Sequence, residues 1–262
     1  MSKIRREYKV TNALMGADFR LTAVGSQILM QDCFAALMAG YHVAAFDLRS
    51  RSLMWIISEF SMEFKGRMPF WGDSVTVELW MSERPSIKVH VDYRLSHAGK
   101  VFCSGDSVWA ILDIGSRKPV NSSEVLSAIQ PTMELALGSH RHHLDRMCSE
   151  RYSLCHRINL SDTDFNRHVT NTTYMKVAVN AMPAGYIGSH RLAAMDMRFL
   201  HESFIDQTLI CKVYDTDAGG SWSYDITDGD GVVCSRASIR FEDAEAEPEN
   251  LDNLEIREMR GK

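Results

Sequence analysis

An apolar helix followed by a series of β-like runs occurs twice in this sequence, and a chain written that way folds as a repeated unit. In the first copy, Ile28, Leu29, Cys33, Ala36, Leu37 and the run 39–45 make most of a helix apolar, with Gln31 and Asp32 as its few strongly polar members. Such a helix, predicted over about 26–45, is enclosed on several sides. Strand-like runs follow at 53–64, 74–81, 87–95 and 101–112, separated by Gly72-Asp73, Arg84-Pro85 and Ala98-Gly99, and a short strand at 8–10 precedes the helix. The second copy offers a strand at 151–160, a helix at 170–182 stopped by Pro183, and strands near 193–199, 208–214, 221–226 and 232–241. Gly99-Lys100-Val101 recurs as Gly231-Val232-Val233, and Asp18-Phe19 pairs with Asp164-Phe165. The predicted class is α+β, each unit one helix wrapped by an antiparallel sheet.

The stretch Asp164-Phe165-Asn166-Arg167-His168-Val169-Thr170-Asn171 gathers a carboxylate, an amide and an imidazole just before the second helix. If it is extended, Asp164, Asn166 and His168 share a face beside the first amides of that helix, where a carbonyl oxygen would be polarised. Capping and turn chemistry is the other reading of the same residues.

Composition excludes more than it assigns. The 262 residues suffice for one large domain or two small ones. The net charge of −5 equals that of residues 242–262, which carry eight acidic and three basic side chains, so the remainder is formally neutral and offers no field for nucleic acid. No apolar run is long enough to cross a bilayer, and the basic opening Met1-Ser2-Lys3-Ile4-Arg5-Arg6 lacks an apolar core behind it, so no secretory signal is expected. Six cysteines without a CxxC pair read as reduced, mostly buried thiols of a cytoplasmic protein. His140-Arg141-His142-His143 has no Cys or carboxylate at ligand spacing and reads as a solvated face rather than a metal site. Asn121-Ser122-Ser123-Glu124 reads as the capping box of a short helix, and Met54, Trp55, Trp71 and Trp80 read as core or, for some of them, as the lining of an apolar tunnel, which periodicity does not tell apart.

Two motifs resemble those of the acyl-[acyl carrier protein] thioesterases of plant plastids and bacteria. Asp164, Asn166, His168, Val169, Asn171 and Tyr174 meet the family's D-x-N-x-H-V-N-N-x-x-Y. Trp55, Pro69, Trp71, Gly72, Asp73, Val75, Val77 and Trp80 meet its N-terminal pattern. The resemblance implies a tandem hot-dog fold and hydrolysis of the thioester of an acyl-[acyl carrier protein], without a cofactor or a metal. It places Glu202, within Arg198-Phe199-Leu200-His201-Glu202-Ser203, at the family's catalytic glutamate on a strand, beside Asp164, Asn166 and His168. The chain departs from the family pattern at Ser203 for Cys, Thr170 for Asn and Val177 for Trp, so a thiol nucleophile at 203 is ruled out. Glu202 with His168 is then expected as the base, Asn166 as a hydrogen-bonding group, and amides near Val169–Asn171 as the oxyanion contacts. Asp164 would orient His168 or attack the carbonyl itself.

The implied organisation is a first hot dog at 1–118 holding the acyl chain, a linker at 119–149, a catalytic hot dog at 150–244, and an acidic tail at 245–262. The expected partner is the acyl carrier protein, met by a mild excess of eight Lys or Arg over six acidic residues between 134 and 200; a homodimer stays open. The competing functions are an acyl-CoA thioesterase and a non-catalytic acyl-binding module. A hot-dog hydratase fits poorly, because Arg167 stands where its motif has Pro and the Asp-to-His spacing is four.

Overall fold

The computed structural model describes residues 3–140, 143–164, 167–183, 186 and 189–243. Its strands form one ten-stranded sheet in the order β1-β3-β4-β5-β2-β7-β10-β9-β8-β6. The first half comprises β1 (Lys3–Lys9), α1 (Ala23–Gly40), the short α2 (Ala45–Arg49), β2 (Leu53–Phe64), β3 (Ser74–Met81), β4 (Val89–His97) and β5 (Lys100–Asp113). The second comprises β6 (Met147–Arg157), α3 (Asn171–Asn180), β7 (His190–Phe199), β8 (Thr208–Thr216), β9 (Ser221–Thr227) and β10 (Val233–Asp243). Read inward from each edge, the halves have the same strand order. They join where β2 pairs antiparallel with its counterpart β7, from Glu59↔Arg198 to Glu63↔Ala194. Antiparallel pairing of equivalent strands relates the two halves by a local twofold.

Alternation decides which face each strand buries. On β3, which packs against α1, Val75, Val77, Leu79 and Met81 are fully buried at every second position. α1 begins at Thr22, whose side chain accepts from the Gly25 amide. Gly25 is required there: a Cβ would lie 2.4 Å from the Leu14 carbonyl oxygen. The helix stops at Gly40 rather than reaching 45, because the Val43 amide bonds back to the Met38 carbonyl at 3.0 Å and His42 takes a positive φ of 57°. Phe46, just past the end of the expected helix, is 87% exposed on α2.

Two other expectations change. Residues 123–128 form successive turns, not a helix, with the Ser127 amide bonding Glu124 and the Ile129 amide bonding Leu126. Trp80 is fully buried, but Trp71 is 41% exposed and does not belong to the core. All six cysteines are free, four buried, with Cys148 and Cys155 exposed. The acidic tail lies outside the described residues. Among those described, no helix is long and apolar enough to cross a membrane.

The opposite face of the sheet carries a row of polar residues at one register: Asp92, Asp106, Ser61, Asp196, Ser238 and Ser223 on six adjacent strands. The segment between the halves crosses this face as a strap. The Thr132 amide bonds the Met81 carbonyl, Trp80 Nε1 donates to the Glu134 carbonyl at 2.7 Å, and Arg94 pairs with the Glu134 carboxylate at 2.6 Å. The Ala136 amide donates to Asp92 Oδ1 at 2.7 Å; further on, the Asp145 amide donates to Ser238 Oγ at 2.8 Å.

Candidate active site

The site lies where a tight turn delivers the chain into α3. The Asp164 amide donates to the His168 carbonyl at 2.9 Å, the Arg167 amide to the Asp164 carbonyl at 2.9 Å, and Arg167 has φ 65°. The hydrogen bonds among its described residues make this a closed turn, which agrees with the turn reading of the sequence and not with the extended one. Asp164 Oδ1 accepts from the backbone amide of His168 at 3.2 Å, which fixes where that residue leaves the turn. Thr170 then caps α3, accepting from the Thr173 amide. Asn166 lies outside the described residues.

The same turn exists in the first half. The Gly16 amide bonds the Arg20 carbonyl, Phe19 has φ 61°, and Thr22 caps α1. Gly16 thus corresponds to Asp164, Arg20 to His168 and Thr22 to Thr170. The pairing of Asp18-Phe19 with Asp164-Phe165 is out of step by two residues. Phe165 lies outside the described residues, so the corrected alignment rests on these hydrogen bonds. Behind each turn runs a matching loop: the Leu21 amide bonds Pro69 and the Val169 amide bonds Ser203, while Arg20 bridges Phe70 and His168 bridges Phe204. Glu202 thereby corresponds to Met68, whose carbonyl accepts from Arg20 Nη1 at 2.8 Å. At this position the first copy has Arg20 and Met68, and the second has imidazole and carboxylate.

There, His168 Nδ1 is 3.4 Å from Glu202 Oε1, with His168 largely buried and Glu202 about a third exposed. The imidazole meets the Phe204 ring edge-on at 5.3 Å. Glu202 sits in the loop after β7, three residues beyond Phe199, rather than on a strand. Its other oxygen, Oε2, pairs with the Arg117 guanidinium, carried on the turn after β5 of the first half. Arg117 is held by a positive φ of 60° and by Asp113, whose carbonyl accepts the Arg117 amide at 2.9 Å and whose carboxylate accepts the Ser116 amide at 2.7 Å. Glu202 therefore bridges a cation from one half and an imidazole from the other.

A second contact between the halves lies beside it. Gln31 of α1 and Asn171 of α3 exchange amide hydrogen bonds at 2.7 and 3.2 Å, tying the start of α3 to the first helix. Neither Gln31 nor Arg117 emerged from the sequence, since each is separated from its partner by a large stretch of chain and belongs to no local pattern. Ser203 is fully buried and donates to Cys234 Sγ at 3.1 Å, so its hydroxyl is committed there. Burial also pushes the Cys234 thiol and the Tyr174 phenol above their ordinary ranges, keeping both neutral. The Val169 and Thr170 amides are engaged, with Ser203 and Asp162 carbonyls respectively, both at 2.9 Å, and do not face a substrate as expected.

A helix cradled by five antiparallel strands, repeated and joined edge to edge, defines a double hot-dog protein, here with an acid–imidazole pair at one helix mouth. The chain belongs to the acyl-ACP thioesterase family: its residues 3–129 match the N-terminal domain model and 147–243 the C-terminal domain model. It is 26% identical to an acyl-[acyl-carrier-protein] hydrolase of Cuphea viscosissima over 173 residues, which are 62% of this chain and 41% of that one. To oleoyl-acyl carrier protein thioesterase 1 of Arabidopsis thaliana it is 22% identical, over 86% of this chain and 67% of that one. The chain thus spans less than half the length of the Cuphea relative. An acyl-ACP thioesterase from Bacteroides thetaiotaomicron superposes with a TM-score of 0.82 at 17% identity, covering 92% of this chain and 98% of that one. The 12:0-ACP thioesterase from Umbellularia californica does so at 0.80 and 18%, covering 93% and 98%.

Proposed function

We propose that this chain hydrolyses the thioester of an acyl-[acyl carrier protein], releasing a free fatty acid and ending elongation in fatty acid biosynthesis. The observation that carries this reading is the contact of Glu202 with His168 Nδ1 at the mouth of α3, in a chain that matches both domains of the family. With Nδ1–H donated to Glu202, His168 Nε2 is the basic nitrogen and takes a proton from water as the water oxygen adds to the thioester carbonyl carbon. The tetrahedral oxyanion collapses, the C–S bond breaks, and the imidazolium returns its proton to the departing thiolate. Asp164 serves as the orienting group, which its bond to the His168 amide supports. Asn166 holds the carbonyl or the imidazole. With the Val169 and Thr170 amides engaged, the first-turn amides of Asn171 and Thr172 are the donors left for the oxyanion.

The first half holds the acyl chain. Phe34, Trp55 and Trp109, which meet beside α1 with Phe34 and Trp109 stacked at 4.0 Å, are its aromatic lining. The partner is the acyl carrier protein, and the free thiols support a cytoplasmic location. The test is incubation with a mixed pool of acyl carrier thioesters, and with the same chains on CoA, followed by identification of the released acids. Release from the carrier pool is expected to fall about 100-fold or more in His168→Ala and Glu202→Ala. No release by the unaltered protein, or near-normal release by both variants, would overturn the reading.

A further inference from the structure

His140 was expected to lie on a solvated face, yet its side chain is only 13% exposed, clamped on the outer side of the first half. Its ring stacks on that of His90 of β4, with centroids 4.4 Å apart and planes inclined by 19°. Nε2 lies 3.0 Å from Oδ2 of Asp92, a fully buried carboxylate whose other oxygen accepts from the Ala136 amide. Nδ1 lies 3.0 Å from Glu83 Oε1, and Glu83 Oε2 lies 3.9 Å from His90 Nε2. Ser82 Oγ is 3.3 Å from His140 Nε2.

These contacts fix the chemistry. Asp92 is an acceptor, so His140 Nε2 carries a proton. Nδ1 of the neutral ring then turns a lone pair towards a carboxylate oxygen, and two acceptors at 3.0 Å need a cation shared between them. A second proton on His140 is one solution. A metal ion is the other, and three features favour it. The donor atoms of Glu83, His90 and His140 all lie within 4.8 Å of one another, and turning the stacked rings out of parallel, with rotation of the half-exposed Glu83, brings them round one ion at the roughly 2.0–2.1 Å bonds of a zinc centre. Two imidazoles with one carboxylate form a donor set suited to such an ion. Asp92 is also placed as the carboxylate that holds the second nitrogen of a ligating histidine.

We propose that Glu83 with His90 Nε2 and His140 Nδ1 forms a binding site for a divalent transition metal of the zinc type, with Asp92 orienting His140. Water fills the fourth position on the exposed side of Glu83. Because His140 belongs to the strap and His90 to the sheet, the ion staples one to the other. The ion joins β4 to the strap, whereas Glu202 and His168 lie on the loop after β7 and the turn before α3, and the site is independent of the reaction assigned to them.

The full chain, stripped with a chelator and with Cys148 and Cys155 replaced by Ser to remove exposed thiols, is titrated with Zn²⁺ and with Co²⁺ near neutral pH. One equivalent is expected to bind, Co²⁺ giving visible absorption of a four-coordinate site, and the melting temperature rises with Zn²⁺. Glu83→Gln and His90→Gln, at partly exposed positions, lose this equivalent and the thermal shift, while Asp92→Asn weakens binding about 10- to 100-fold. Absence of stoichiometric binding to the unaltered site, or equal binding by Glu83→Gln and His90→Gln, would overturn the proposal and leave a protonated His140 between its two carboxylates.

Discussion

Arg117 shows at the scale of one residue how the site is assembled from both halves. Its guanidinium occupies one oxygen of Glu202 and so turns the other towards His168. The pair is partly exposed, which weakens its direct contribution to stability. The effect belongs to positioning, where a carboxylate free to rotate spends less time on the imidazole. Arg117→Ala is expected to lower kcat about tenfold, with KM little changed and the circular dichroism spectrum intact. Arg117→Lys restores part of the rate by returning a charge without the planar fork. A rate within twofold of normal in Arg117→Ala would mean that Glu202 holds its place unaided.

Between elements, the strap is fastened by charge as well as by shape. Glu134 pairs with Arg94 and Lys3, and the hydrogen bond from Arg94 is the foremost cause holding its carboxyl below the ordinary range. A carboxyl lowered by folding contributes stability above its unfolded pKa, and that contribution is lost as the pH falls through the folded value. The strap at 132–136 should therefore loosen only below the usual carboxylate range of about 4.3. Trp80, whose indole donates to the Glu134 carbonyl, reports the event: its emission should change only as the pH falls below the usual carboxylate range, and Arg94→Ala should move the change upwards. An unmoved midpoint in that variant would remove Arg94 from the account. Contacts of this kind also mark what the sequence hides. Strands at 53–64 and 74–81 were legible to the residue, because period-two alternation and a Gly72-Asp73 turn are local signals. The end of α1 and the couples Arg117–Glu202, Gln31–Asn171 and His140–Asp92 were not, and the turn before α3 was legible only as one of two readings. Each depends on a hydrogen bond to a group whose position the fold alone determines. Motif spacing named His168 and Glu202, which the fold brings together, but not their arrangement: Glu202 lies in a loop, and Asp164 faces a backbone amide.

On the scale of the molecule, one sheet passes without a break through both halves, and β2 and β7 are central strands of it. Phe60 is fully buried at this seam, its ring 6.0 Å from that of Phe199. Phe60→Ala is expected to cost about 3–5 kcal/mol. The loss should appear as an earlier midpoint of one cooperative transition, followed in parallel by tryptophan emission and circular dichroism. Two separated transitions in the unaltered protein would show that each half melts alone. The doubled turn has a further consequence. Arg20 and Met68 stand where the second copy has His168 and Glu202, so the first turn keeps the frame of the proposed site without its imidazole and carboxylate. On the proposed reading, substitutions at that first turn leave bond cleavage untouched, and descendants of such a chain are free to change what they grip while the blade stays sharp.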